Sequence, residues 1–219
     1  MPIRRPHPGC LTTPLVSSFF ADFSLTENPI SQGGKFRTGG VTGFYKDPRS
    51  IGGKCYAAST VGADYDDCLG QLQNHGIGAN QRASLTVFRQ GGYTSGDTHE
   101  FALYLRLVIG ASLVRGYECL MNEQDGFQIV RWEGISQGSD NFNTGISVSG
   151  SGPGHLVTGD VIVFEGIGSN FRVLKNAVEV ASFTDSTWTT GNPGLGFFVR
   201  PTGNTPENFC ISAWSAQAA

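Results

Sequence analysis

HEFALYLRLV, residues 99–108, alternates in a way that only an extended chain reads sensibly. His99, Phe101, Leu103, Leu105 and Leu107 fall on one face of a strand, and Glu100, Tyr104 and Arg106 fall on the other. The pattern predicts a half-buried strand with one core face and one wet face. Outward from it, LVRGYECLM (113–121) and FQIVRW (127–132) have the same character, and NEQDG between them supplies a turn, so the three runs predict an antiparallel meander. Further on, GDVIVFEGIGSNFRVLKNAVEVASFTDS (159–186) reads as three successive strands with turns at GIGSN and KNA. Val161, Val163, Phe171, Val173, Val178 and Val180 sit at period two, and Asn176 suits left-handed backbone angles. Similar runs rich in Val, Ile, Phe, Tyr and Thr, separated by Gly, Asn, Asp and Pro, predict further strands near 18–24, 41–46, 54–59, 68–73, 82–89, 145–149, 194–200 and 207–214.

The bulk numbers agree. With 31 glycines and only 15% charged residues among 219, the composition suits many short strands and tight turns, and a chain of this length commonly folds as one all-β domain. A formal net charge of -3 supplies no basic field for nucleic-acid phosphates, so nucleic acid is not an expected partner. No apolar run approaches the roughly 18 to 20 residues of a membrane-spanning helix, so no membrane is expected either.

Residues 1–17 form an extended, Pro-rich, basic arm, because Pro2, Pro6, Pro8 and Pro14 oppose any regular helix. The same prolines interrupt an apolar signal-peptide core, so the expected location is a virion or the outside of a lysed cell, otherwise the cytoplasm. Cys10, Cys55, Cys68, Cys119 and Cys210 are odd in number and scattered. They read as small buried residues rather than a disulfide framework, and with no C-x-x-C pair no structural metal is expected.

ADFSLTENPISQGG near the start, RGYECLM with QIVRWEG in the middle, the block Gly159 to Phe198 and TTGNPGLGFF within it together resemble the laminin-G-like branch of the concanavalin A-like lectin/glucanase superfamily. The resemblance covers about residues 18–214 and implies an all-β, two-sheet antiparallel jelly-roll β-sandwich over 18–219. It leaves function open, since this sandwich hosts lectins, carbohydrate-binding modules, glucanases, lyases and protein-binding modules.

Glucanases of the superfamily resemble one another through a strand motif of the type E-x-D-x-x-E, and this sequence has none. Asp64 and Asp66 read as a polar turn before Cys68, Glu118 and Glu123 flank a strand end, and Glu133 follows Trp132 without a compact partner. His99 sits in the apolar register and reads as a satisfied core histidine. Gly150 to Gly154 leads into strand, not into a phosphate-binding helix. Asp140, Asn141 and Asn143 offer oxygen ligands for calcium but read as a polar loop, so no cofactor is expected.

What remains is binding. Tyr104, Arg106, Glu118, Gln128 and Trp132 form the expected ligand-facing set on the polar side of the meander, where a ring and planar polar groups meet sugar hydroxyls. Trp188, in DSTWTTGNP, is expected at an exposed loop or as a cap on the core. The leading expectation is a non-catalytic, lectin-like protein for glycan binding or surface attachment. The second is a virion component that meets a second copy or neighbouring capsid or tail subunits through residues 1–16, and the third is a glycoside hydrolase or polysaccharide lyase.

Overall fold

Along Gln81–Arg89 every second side chain is buried, as a strand with one core face requires. The computed structural model describes residues 17–42, 45–59, 67–90, 99–111, 113–122, 126–134, 147–151, 156–199 and 206–219, the side chains of Trp132 and of residues 147–151 excepted. Residues 1–16, Asp64, Asp66, Glu123, and the loop bearing Asp140, Asn141 and Asn143 lie outside them.

The strands are β1 (Ser18–Ala21), β2 (Phe36–Thr38), β3 (Pro48–Ile51), β4 (Lys54–Ala57), β5 (Cys68–Leu72), β6 (Gln81–Arg89), β7 (Glu100–Ile109) and β8 (Val114–Asn122). They continue as β9 (Gly126–Gly134), β10 (Ser147–Ser151), β11 (Val161–Ile167), β12 (Asn170–Lys175), β13 (Val178–Thr184), β14 (Asn192–Phe198) and β15 (Phe209–Ala218). One sheet has eight strands in the order β13-β12-β11-β6-β15-β4-β3, with β1 also on β15; the other has seven, in the order β10-β9-β8-β7-β14-β5-β2. Every pairing between named strands is antiparallel. Among the described residues no helix is long and apolar enough to cross a membrane.

The predicted meander is β7-β8-β9, and the three later runs are β11-β12-β13. In the second hairpin, Lys175 pairs with Val178 across Asn176 and Ala177, at φ 51° and 67°. Two consecutive positive φ values give the turn that matches strand twist. Two short strands, β2 and β3, were not expected. The strand expected over 41–46 is not one: Gly39–Thr42 is a 3-10 turn, and Lys46 makes only an isolated parallel bridge with Cys68.

The core lies between the sheets. Phe101, Leu103, Leu105, Tyr117, Cys119 and Ile129 meet Leu85, Val87, Phe164, Phe171, Val173 and Trp214. Trp214 packs edge-on against Phe36, ring centroids 5.3 Å apart. His99 is buried against Phe209, as expected. Cys55, Cys68, Cys119 and Cys210 are buried and form no disulfide among the described residues.

β11 is turned over relative to the sequence expectation. Ile162 and Phe164 enter the core, whereas Val161 shares the outer face with Glu165 and is exposed. VIVF is apolar at every position, so periodicity leaves its register open, and the charge on Glu165 decides which face turns outward.

Candidate functional site

The expected ligand face is the outer face of the seven-stranded sheet. Tyr104 on β7 stands opposite Glu118 on β8, which stands opposite Val130 on β9, with Gln128 and Trp132 at the register positions to either side of Val130. The sheet therefore does bring Tyr104, Glu118 and Gln128 to one region. It does not leave them open: Tyr104 is 0% exposed and Glu118 2%, while Gln128 is half-buried. The Tyr104 hydroxyl donates to Glu118 Oε1 at 2.7 Å. Gly196 lets the tyrosine ring lie across β14, since a Cβ there would meet it at 2.6 Å. Around this pair, Tyr45, Leu69, Ala102, Leu107, Ile109, Val114 and Val130 form a second apolar cluster.

Desolvation therefore governs Glu118. Burial pushes its carboxyl well above the usual range, and the nearby charge of Asp67 adds to the shift despite the opposing Tyr104 hydrogen bond. Burial likewise raises the Tyr104 phenol.

Arg106 leaves this face altogether. It sits at φ 53° where the β7-β8 register slips between Leu105 and Val108, so a bulge re-aims its side chain. The guanidinium, 1% exposed, donates from Nε to the Ala79 carbonyl at 3.1 Å, from Nη1 to that of Trp188 at 2.7 Å, and from Nη2 to that of Gly168. It also lies 4.8 Å from the Phe171 ring centroid. Gly191 is required here, because a Cβ would fall 2.1 Å from the Arg106 carbonyl oxygen. Trp188, expected at an exposed loop or over the core, is partly buried against the core with Arg115 4.5 Å above its ring. The solvent-facing set read from sequence is thus corrected for Tyr104, Arg106 and Glu118, whose polar atoms are used inside the fold.

An open groove lies instead on the outer face of the eight-stranded sheet, over β11, β12 and β13. Register places Arg82, Glu165, Arg172 and Ser182 in one row across four strands. Glu165 receives Arg82 Nη1 at 3.0 Å on Oε2 and Arg172 Nε at 2.6 Å on Oε1. Burial raises the Glu165 pKa, but the hydrogen bonds from the two guanidiniums outweigh it and hold the carboxyl below its usual value. The groove, about 400 Å³, is lined by Glu165, Asn170, Arg172, Glu179 and Ser182, with Ile167 at its rim and Phe171 below. Asn170, which is exposed, accepts the Thr184 hydroxyl on Oδ1 at 3.3 Å.

Sequence reasoning missed Glu165 and Arg172. The available signal was FEGIGSNFR, in which a charge on each strand of a tight hairpin falls opposite the other.

The sequence matches no protein-family profile and no curated protein sequence. The structure does resemble solved ones. The kappa-carrageenase from Pseudoalteromonas carrageenovora aligns with TM-score 0.59 and 7% identity over 97% of this chain and 99% of that one. A lichenase from a mouse hindgut metagenome aligns with TM-score 0.58 and 10% identity over 93% and 100%. The carbohydrate binding module CBM66 from Bacillus subtilis aligns with TM-score 0.56 and 14% identity over 84% and 95%. Identities this low speak for architecture alone, and the two sheets and their strand order agree with it: the chain has the concanavalin A-like jelly-roll fold.

Proposed function

We propose that this protein binds carbohydrate without cleaving it, through the groove over β11–β13. The observation that carries the reading is the concentration of unspent polar groups there. Among the described residues Arg172 hydrogen-bonds Glu165 through Nε alone, and Arg172, Asn170, Ser182 and Glu179 together line an open concavity. Its volume of about 400 Å³ lies at the lower end of the ~300–1,000 Å³ found for small-molecule sites, which suits one or two sugar rings. The same fold in a protein described as a carbohydrate binding module supports carbohydrate as the ligand, and its occurrence in a lichenase and a kappa-carrageenase supports the ligand class but not the absence of cleavage.

Catalysis is disfavoured by the carboxylates. Glu165 has both oxygens in ion pairs, and Glu118 is sealed beside Tyr104. A hydrolase remains the second reading for one reason: a carboxyl whose pKa is raised by burial and by a second carboxyl, as that of Glu118 is by Asp67, is the pattern of a general acid. A glycan array, followed by calorimetry on the hits, tests the first reading. Binding that disappears in Arg172→Ala supports it, and the absence of binding to any glycan overturns it. Release of reducing ends that Glu118→Gln abolishes would establish the second.

A further inference from the structure

We infer that the groove over β11–β13 selects neutral sugars, gripped edge-on by adjacent hydroxyls, with Glu179 as the residue that excludes acidic ones. The inference rests on the glycan-binding reading and adds the class of ligand.

The charges come first. Arg82 and Arg172 bring two positive charges to the row, and Glu165 and Glu179 bring two negative ones. The Glu165 carboxylate is consumed between the guanidiniums, with only 8% of its side chain accessible. What stays available is therefore a mixed set. Arg172 and Asn170 offer N–H donors, Glu179 offers carboxylate oxygens, and Ser182 offers a hydroxyl that does either.

A sugar hydroxyl donates one hydrogen bond and accepts others, so neighbouring hydroxyls on a ring can answer both kinds of group at once. A uronate or sulfate only accepts. It would pair with Arg172, whose charge Glu165 already offsets, and it would face Glu179 as a like charge. The groove also lacks a stacking platform. Among the described residues Phe171 is the only aromatic that lines it and is 2% exposed, so none of them offers a ring to the flat face of a sugar. Recognition falls to the hydroxyl edge, which is where specificity between neutral and charged glycans is decided.

Glu179 stands on the edge strand β13, is exposed, and among the described residues makes no side-chain hydrogen bond, though its charge acts on Arg172, so its replacement should disturb folding little. The experiment is isothermal titration of the full chain with neutral gluco-, galacto- and manno-tetrasaccharides and with tetragalacturonate. The parent should bind at least one neutral sugar at least about tenfold more tightly than the uronate. Glu179→Ala should weaken neutral binding about tenfold, the scale of a lost charge-assisted hydrogen bond. Glu179→Gln, which keeps an acceptor and drops the charge, should hold neutral binding within about threefold and improve the uronate. Tighter binding of tetragalacturonate by the parent, or neutral binding untouched in Glu179→Ala, overturns the inference and leaves glycan binding standing. If neither class binds, the glycan-binding reading falls as well.

Discussion

Two side chains that look alike in sequence, Glu118 and Glu165, end in opposite electrostatic states. Two guanidiniums hold the Glu165 carboxyl below its usual value, whereas burial pushes Glu118, with a phenol for company, well above it. For Glu118 the native state retains a proton that the unfolded chain sheds above the ordinary value of 4.5, so this group subtracts stability as pH rises past that point. Glu118→Gln removes the proton but keeps an acceptor for Tyr104. Urea unfolding at pH 5 and pH 8 should therefore show the variant gaining on the parent at the higher pH, and an equal difference at both would count against the protonated state. Arg106 makes a second prediction. Its side chain satisfies three backbone carbonyls from separate loops, so Arg106→Met should cost about 3 kcal/mol, from buried acceptors left unpaired. Chemical denaturation measures it. In sequence, Tyr104 and Arg106 alternate with leucines and read as wet, because a bulge and a second apolar cluster leave no local mark on the strand that carries them.

At the level of strands, legibility followed how unevenly each strand divides its faces. HEFALYLRLV and its meander partners declared themselves. VIVF declared a strand but not its orientation, and the three residues of β2 and four of β3 were too short to show a period at all. The missed orientation is why the Arg82–Glu165–Arg172 row went unseen, since Glu165 was not identified with an outer face. Turn chemistry was more legible, and it carries the third prediction. Ala177 holds φ 67° in the β12-β13 hairpin, a conformation that costs a residue with Cβ about 1–2 kcal/mol. Even after the entropy glycine loses, Ala177→Gly should raise stability by roughly 0.5–1 kcal/mol, read as a higher melting temperature. A lower one would mean that the turn is not in the form described.

For the whole molecule, the all-β class and the sandwich were legible, and the division into core face and wet face was not. The outer face of the seven-stranded sheet is itself buried around Tyr104 and Glu118, so alternation alone does not tell that buried face from a wet one. Burial also silences the described cysteines. It raises the Cys119 thiol and lifts Cys210 to about 12, and Cys55 is raised well above its usual value. In a Cys10→Ser protein, a thiol reagent at pH 8 should label no cysteine in the native state and all four upon unfolding. Rapid labelling in the native state would sink the packing described.

The last strand has a consequence for synthesis. β15 fills the place beside β6, about 120 residues later in the chain from Arg89 to Phe209, and it also holds β1 and β4 on its other edge. On the ribosome, then, β6 emerges early with a row of amide and carbonyl groups whose partner has not yet been made. Pairing has to wait until those residues have been made, and the nascent chain spends that interval open to strand exchange with its neighbours.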